Sequence, residues 1–195
     1  MTLTPAGRGR PRDERSGAAI IRAAAELVAE SGYASTSIAS VAARAGVGKD
    51  TIYRRWSGKP ELVYEAVFTT ADAADLPDTG TLQGDLTALV QSLVEEFSTP
   101  AAAAALPGLL ADFAATPELR ATIRSRFLQP AKQRLVAVFD HAERRGATGA
   151  DLPIDLVLDT LAGAVFFHLG IIGEHPGPDL PQRIAAMITK GIEAR

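Results

Sequence analysis

The chain has 195 residues, with 20 Lys and Arg, 23 Asp and Glu, three His and no Cys. That length supports a sizeable core without a covalent staple, and the lack of cysteine excludes a disulfide framework, a thiolate zinc site and a cysteine nucleophile. Three scattered histidines leave little material for a metal site, so no cofactor is implied.

Residues 1–12 carry charge but no apolar run, which excludes a secretory signal there. The longest apolar stretch, 156–173, is interrupted by Asp159 and His168 and diluted by Gly163, Gly170 and Gly173. It reads as a buried helix rather than a membrane span. The expectation is a soluble, cytoplasmic protein with no membrane partner. The net charge of −3 conceals a division. Residues 1–60 hold ten bases and five acids, whereas 61–195 hold ten bases and 18 acids. Such asymmetry suggests a polyanion partner for the first part, though a solvated basic face gives the same arithmetic.

Residues 8–12 read Arg8-Gly9-Arg10-Pro11-Arg12. Gly and Pro disfavour helix, and nothing apolar docks the segment, so an extended basic arm is expected. It resembles the core of an AT-hook, whose arginines suit the narrow minor groove of A·T-rich DNA. A plain basic tail is the alternative. A first helix over 13–31 aligns Ile20, Ala24, Leu27, Val28 and Ser31, with Gly32 as its stop. Thr36 or Ser37 caps a second, short helix carrying Ile38, Val41, Ala42 and Ala45 at i, i+3, i+4 and i+7, and Gly46 ends it. After three residues a third helix over 50–56 puts Ile52 and Trp56 on one side and Asp50, Thr51, Arg54 and Arg55 toward the other. Pro60 opens a fourth, to about 73.

Residues 74–80 read as a loop, and the domain boundary is expected near it. Leu82, Leu86, Leu89, Val90, Leu93 and Phe97 mark a helix over 82–98. Ala101–Ala105 is helix-compatible, and a short apolar helix covers 106–115. Thr116-Pro117 opens a long helix to about 145, with a kink expected at Pro130. Further helices are expected over 153–173 and 179–194. The class is therefore all-α, with about nine helices and no sheet.

Two short helices joined by a Gly-containing turn match a helix-turn-helix, although a plain helical hairpin fits the spacing equally. The first would pack by its apolar stripe, and the second would leave polar side chains free at its start, where base edges are met. Tyr53 and the pair Arg54/Arg55 suit phosphate contact, and an Arg also grips guanine in bidentate fashion.

The run from Thr36 to Leu62 resembles the DNA-binding domain of the tetracycline-repressor (TetR) family: the Ala-Gly-Val turn, Tyr53, Trp56, Lys59 and Leu62 all fall in register. The likeness covers about 13–70, and the all-helical remainder agrees with it. It implies an N-terminal three-helix DNA-binding domain and a C-terminal helical domain that binds an effector and dimerises. It implies core roles for Ile38, Val41, Ala42, Val47, Ile52 and Trp56. It places Thr36 and Ser37 at a cap that reaches phosphate, Lys49, Asp50 and Thr51 at the start of the recognition helix, and Tyr53 and Lys59 on phosphates. Gly48 departs from the family's usual Ser or Thr, so one side-chain cap is missing. Asp50 either accepts from cytosine N4 or favours the helix N-terminal dipole, and the second role is preferred. Ala39 sits where many relatives carry a polar or basic residue, so the second helix is expected to read few bases.

The division expected is a basic arm over 1–12, a DNA-binding domain over 13–60 and an effector and dimerisation domain over 61–195, with the helix from about 60 to 73 linking the two. Ala162, Gly163, Phe166, Phe167, Leu169 and Ile172 are candidates for a dimer seam between the last two helices. Phe97, Leu109, Leu110, Phe113, Phe127, Phe139 and His168 are candidates for a pocket, each also explicable as core. The expected partners are double-stranded DNA, a second copy of the chain and a small hydrophobic effector that the sequence does not identify. Enzyme motifs for nucleophilic, phosphate-binding or zinc chemistry are missing. The pairs Glu95/Glu96 and Asp155/Asp159 read as solvated faces. A ligand-independent architectural DNA-binding protein is the other alternative.

Overall fold

The computed structural model describes residues 10–69, 75–146, 153–173 and 177–192, and of 10–14 and 192 the backbone alone. Among them every regular element is helical, and no strand occurs. The first four are α1 (Arg10–Ser35), α2 (Ile38–Ala45), α3 (Lys49–Tyr53) and α4 (Lys59–Phe68). There follow α5 (Leu82–Phe97), α6 (Pro100–Ala115), α7 (Pro117–Ile123), α8 (Gln129–Arg144), α9 (Ile154–Val165) and α10 (Leu180–Ile192). A π-helical segment, Arg124–Leu128, joins α7 to α8, and another, Phe166–Ile172, extends α9. The ten segments thus form nine rods among the described residues, as the sequence pattern leads one to expect.

Local chemistry sets most of the boundaries. Gly32 takes φ +81°, a conformation only glycine adopts cheaply, and there the first rod breaks. Ser37 caps α2 in a reciprocal box with Ser40: the Ser37 Oγ accepts from the Ser40 amide at 3.0 Å, and the Ser40 Oγ accepts from the Ser37 amide at 3.0 Å. Gly46 closes α2 in the left-handed region, φ 66° and ψ 34°. Thr99 and Pro100 start α6 six residues before the expected start, because the Thr99 Oγ1 caps the Ala102 amide at 3.1 Å and proline fits the first turn.

Two expectations change. The helix begins at Arg10, so Arg10 and Arg12 belong to the first turn of α1 instead of an extended arm. Pro11 falls where a missing N–H costs nothing. Arg8 lies outside the described residues. At Pro130 the long rod switches to a π turn one residue earlier: the Gln129 amide donates to the Arg124 carbonyl, five residues back. Proline supplies no amide to the Arg126 carbonyl, so the ladder widens where that bond would fall.

Two cores result. The first gathers Ile20, Ala24 and Val28 from α1, Val41 and Ala42 from α2, Ile52 and Trp56 around α3, Leu62, Val63, Ala66 and Val67 from α4, and Ala102, Ala105 and Leu109 from α6. It therefore runs past residue 60 and holds α6 as well. The second joins α5, α8, α9 and α10 through Leu86, Val90, Val138, Phe139, Leu158, Leu161, Val165 and Ala185. Tyr33 fastens α1 to α6: its hydroxyl donates to the Asp112 carboxylate, and its ring lies so close to Gly108 that a Cβ there would overlap it. Among the described residues, every buried side-chain nitrogen or oxygen has a hydrogen-bond partner.

Candidate functional site

α2 and α3 are held at a fixed angle by the first core, so what α3 presents outward follows from its register. Ile52 is fully buried and Trp56 nearly so. Lys49, Asp50, Tyr53 and Arg54 are consequently exposed, and Thr51 is half-buried. Tyr53 stands out, with 55% of its surface open although its ring is apolar. Gly48 starts α3 with no side-chain cap hydrogen bond, which leaves the amides of the first turn directed outward. Asp50 occupies that first turn, where the helix dipole favours an acid, but makes no cap hydrogen bond.

The remaining candidates divide. Ser37 is exposed, but Thr36 is buried and its hydroxyl donates to the Gly32 carbonyl at 2.9 Å, so it serves the helix break and cannot reach outward. Lys59 is half-buried: its Nζ donates to the Tyr33 carbonyl at 3.1 Å and sits 4.1 Å from the centre of that ring. Arg55 folds against α1, where its Nη1 would stand 2.6 Å from a Cβ at Gly17. Arg44 is drawn into a bidentate pair with Glu30, at 3.0 and 2.8 Å. The departures of Thr36, Lys59 and Arg55 have one cause, which the Arg44 pair shares. A short helical domain needs polar cross-ties between its rods, and some bases and hydroxyls are used for that purpose.

The turn after α3 is tied from several sides. The Glu61 carboxylate accepts from the Ser57 amide and hydroxyl at 2.6 and 2.7 Å, and from Arg126. Burial alone would raise the Glu61 carboxyl, but the Ser57 donors and the Arg126 guanidinium outweigh it and hold the group below the usual carboxylate range. The Trp56 indole N–H donates to Glu65 at 2.7 Å.

Between the two cores lies a cavity of about 770 Å³. Five of the seven pocket candidates line it: Phe97, Leu109, Leu110, Phe113 and Phe127. Phe139 instead fills the second core, and His168 is half-buried outside the lining. The sequence reading missed Tyr64 and Phe68 and gave Phe166 to the dimer seam; all three complete a chain of ring contacts. Phe127 lies 5.3 Å from Tyr64, Tyr64 5.7 Å from Phe68, Phe68 5.1 Å from Phe97, and Phe97 6.4 Å from Phe166. Glu96 is buried on this wall rather than solvated, while Glu95 is exposed. Asp155 and Asp159 pair with Lys132 at 3.5 and 2.6 Å, so they form a charged edge of the cavity.

The seam candidates separate by face. Ala162 and Phe166 point to the cavity, and Leu169 packs against the second core. Gly163, Phe167 and Ile172 are exposed, together with Leu156, Ile171 and Met187. The apolar rod Ile154–Ile172 is thus buried on one side only. By length and composition it is the one helix among the described residues able to cross a membrane. The sequence expectation of a buried helix holds for one face alone: Val157, Leu158, Leu161 and Val165 are buried in the second core, with Ile154 and Ala164 packed against it.

A rigid three-helix unit that exposes the start of a short helix, joined to a cavity-bearing helical domain, defines a helix-turn-helix transcriptional regulator. Residues 20–66 match the model of bacterial regulatory proteins of the tetR family, and residues 76–188 match the tetracyclin repressor-like C-terminal domain. The chain belongs to the TetR family. It is 34% identical over 169 residues to the DNA-binding transcriptional repressor TetR of Mycobacteroides abscessus, covering 83% of this chain and 85% of that one. It is 29% identical over 188 residues to the uncharacterized HTH-type transcriptional regulator YdeS of Bacillus subtilis, covering 96% and 94%. In fold it resembles the crystal structure of TetR family transcription regulator SCO0332, with a TM-score of 0.75 and 24% identity, over 92% of this chain and 100% of that chain.

Proposed function

We propose that this regulator is a homodimeric repressor that grips a palindromic operator and leaves it when a small hydrophobic molecule fills the cavity. The observation that carries this reading is the pairing, in one chain, of an open polar-basic face on α3 with a 770 Å³ aromatic-lined cavity whose wall includes α4. Lys49, Asp50, Thr51, Tyr53 and Arg54 face the DNA, assisted by Ser37, with Lys49 and Arg54 supplying charge. Thr36, Lys59 and Arg55 hold the domain together and act on DNA only through it. The division of labour follows the chain: residues 1–12 add positive charge, 13–60 read DNA, and 61–195 bind the effector and dimerise.

Dimerisation answers the exposure of Leu156, Gly163, Phe167, Ile171 and Ile172 on the α9 rod and of Met187 on α10, apolar surface that a monomer would leave in water. A two-fold axis there would present two copies of α3 to half-sites roughly one helical turn apart. The effector is apolar over most of its surface and aromatic or ring-bearing in shape, because tilted and edge-on rings form the walls.

Lys49→Ala and Arg54→Ala should each weaken binding to duplex DNA by roughly tenfold and lower the slope of log affinity against log salt by about one, as removal of a phosphate contact requires. Titration by fluorescence anisotropy at several salt concentrations measures both. Unchanged affinity and slope in both variants would remove α3 from the interface.

A further inference from the structure

Arg126 sits on the π-helical turn Arg124–Leu128, and each of its hydrogen-bond acceptors belongs to α4 or to the turn that leaves α3. Its Nη1 donates to the Arg55 carbonyl at 2.6 Å and to the Glu61 carboxylate, and its Nη2 reaches Glu65 at 3.3 Å. Glu61 in turn holds the Ser57 amide and hydroxyl, and Glu65 holds the Trp56 indole. One guanidinium from the second half of the chain therefore fixes residues 55–57, the segment that ends α3, through three acceptors.

The same π turn is a wall of the cavity. Arg124, Phe127 and Leu128 line it. Phe127 lies against Tyr64, and the Arg126 guanidinium stands 5.2 Å from the Phe127 ring centre. An occupant that parts Phe127 from Tyr64 bears on the turn that carries Arg126. A π turn is suited to this, because its widened ladder can revert to α-helical spacing and rotate the side chains that it carries.

We propose that Arg126 is the positioning residue that sets the placement of α3 relative to the C-terminal domain, and that filling the cavity releases α3 by withdrawing it. The cavity's role as an effector site rests on the function proposed above, but the link between cavity and α3 is a property of this chain and can be tested without DNA. Its physical basis is a two-arrangement element that both sites bias. A fork is needed for it, since Arg reaches Glu61, Glu65 and the Arg55 carbonyl from one planar group and Lys presents a single point.

The chain has no cysteine, so Asp50→Cys on α3 and Gln91→Cys on α5, both exposed, admit two nitroxide labels without background. Electron spin resonance then gives the distance distribution between them in the full-length protein, diluted with unlabelled chain so that intrachain distances dominate. The starting protein should give one narrow population. Arg126→Gln should shift or broaden it by several ångströms, the scale on which packed helices move, and Arg126→Lys, which keeps the charge but loses the fork, should restore it only in part. Ala162→Trp, which puts an indole into the cavity, should produce a similar shift on its own and add nothing to Arg126→Gln. Leu110→Trp repeats the test from α6 if Ala162→Trp fails to fold by circular dichroism. An unaltered distribution in Arg126→Gln, or shifts that simply add, would overturn the proposal. Failure of the DNA reading would leave this result untouched, and failure here would leave the DNA reading standing.

Discussion

Trp56→Ala should abolish DNA binding and lower the stability of the N-terminal unit by about 3–5 kcal/mol, the range for deleting a large buried ring. Trp56 is 2% exposed and packs in the first core, and its indole N–H holds Glu65 at 2.7 Å. Its loss therefore leaves a cavity and frees a carboxylate that also anchors Arg126. Whole domains are stable by only about 5–15 kcal/mol, so a change of this size puts a small three-helix unit at the edge of folding. The second core does not include Trp56 and should keep its helices. Thermal melts followed by circular dichroism should lose cooperativity in the first part of the transition, with retained helix above it. Operator or bulk-duplex affinity within twofold of the starting protein would show that α3 does not depend on this ring.

Asp85→Ala should cost about 3 kcal/mol and weaken the second half without touching the DNA face. Asp85 is fully buried at the start of α5 and accepts from the Thr79 amide at 2.6 Å, the Thr79 hydroxyl at 2.8 Å and Arg145 Nη2 at 2.9 Å. It joins the loop before α5 to the end of α8. Removing one partner of such a buried pair leaves the others unpaired, the costly case. Arg145 also meets Asp78 at 3.1 Å and is partly open to water, which places the loss at the lower end of the range for buried pairs. Asp85→Asn keeps an acceptor for Thr79 and should lose less than the alanine variant. Chemical denaturation of both variants measures the order, and equal losses would assign the effect to the charge alone.

The elements that the sequence makes legible are those with local causes. Ser37 and Gly46 bound α2 by capping chemistry confined to four residues. Gly32 ends the first rod by its own backbone freedom, and the stripe of Val41, Ala42, Ile52 and Trp56 sets the outward face of α3. Features that depend on distant partners stay hidden. Thr36 reads as a cap, but its hydroxyl turns inward to Gly32. Lys59 reads as a free base, but Tyr33, 26 residues away, engages it. Arg126 carries no pattern at all, because its acceptors lie 61 to 71 residues earlier. Pro130 signals a disturbance, yet only the paired ladder shows it as a π turn.

The cavity shows the same limit. Phe97, Leu109, Leu110, Phe113 and Phe127 can be listed as apolar residues of the middle helices, and they do meet. Phe139 has the same composition and periodicity but points the other way on α8, into the second core. Tyr64 and Phe68 escape because α4 reads as a linker between domains, whereas its far side is the cavity wall. Glu96 reads as solvated because Glu95 beside it is, and a helix turns adjacent residues roughly 100° apart.

The most direct test of the central claim is selection of bound fragments from the source organism's own sheared DNA by the purified protein at near-physiological salt. The account predicts a recovered palindrome whose half-site centres lie about 34–36 Å apart or a whole number of helical turns further, bound with a strong dependence on sequence. Recovery of fragments without a shared sequence, held only by a steep salt-sensitive attraction, would contradict it.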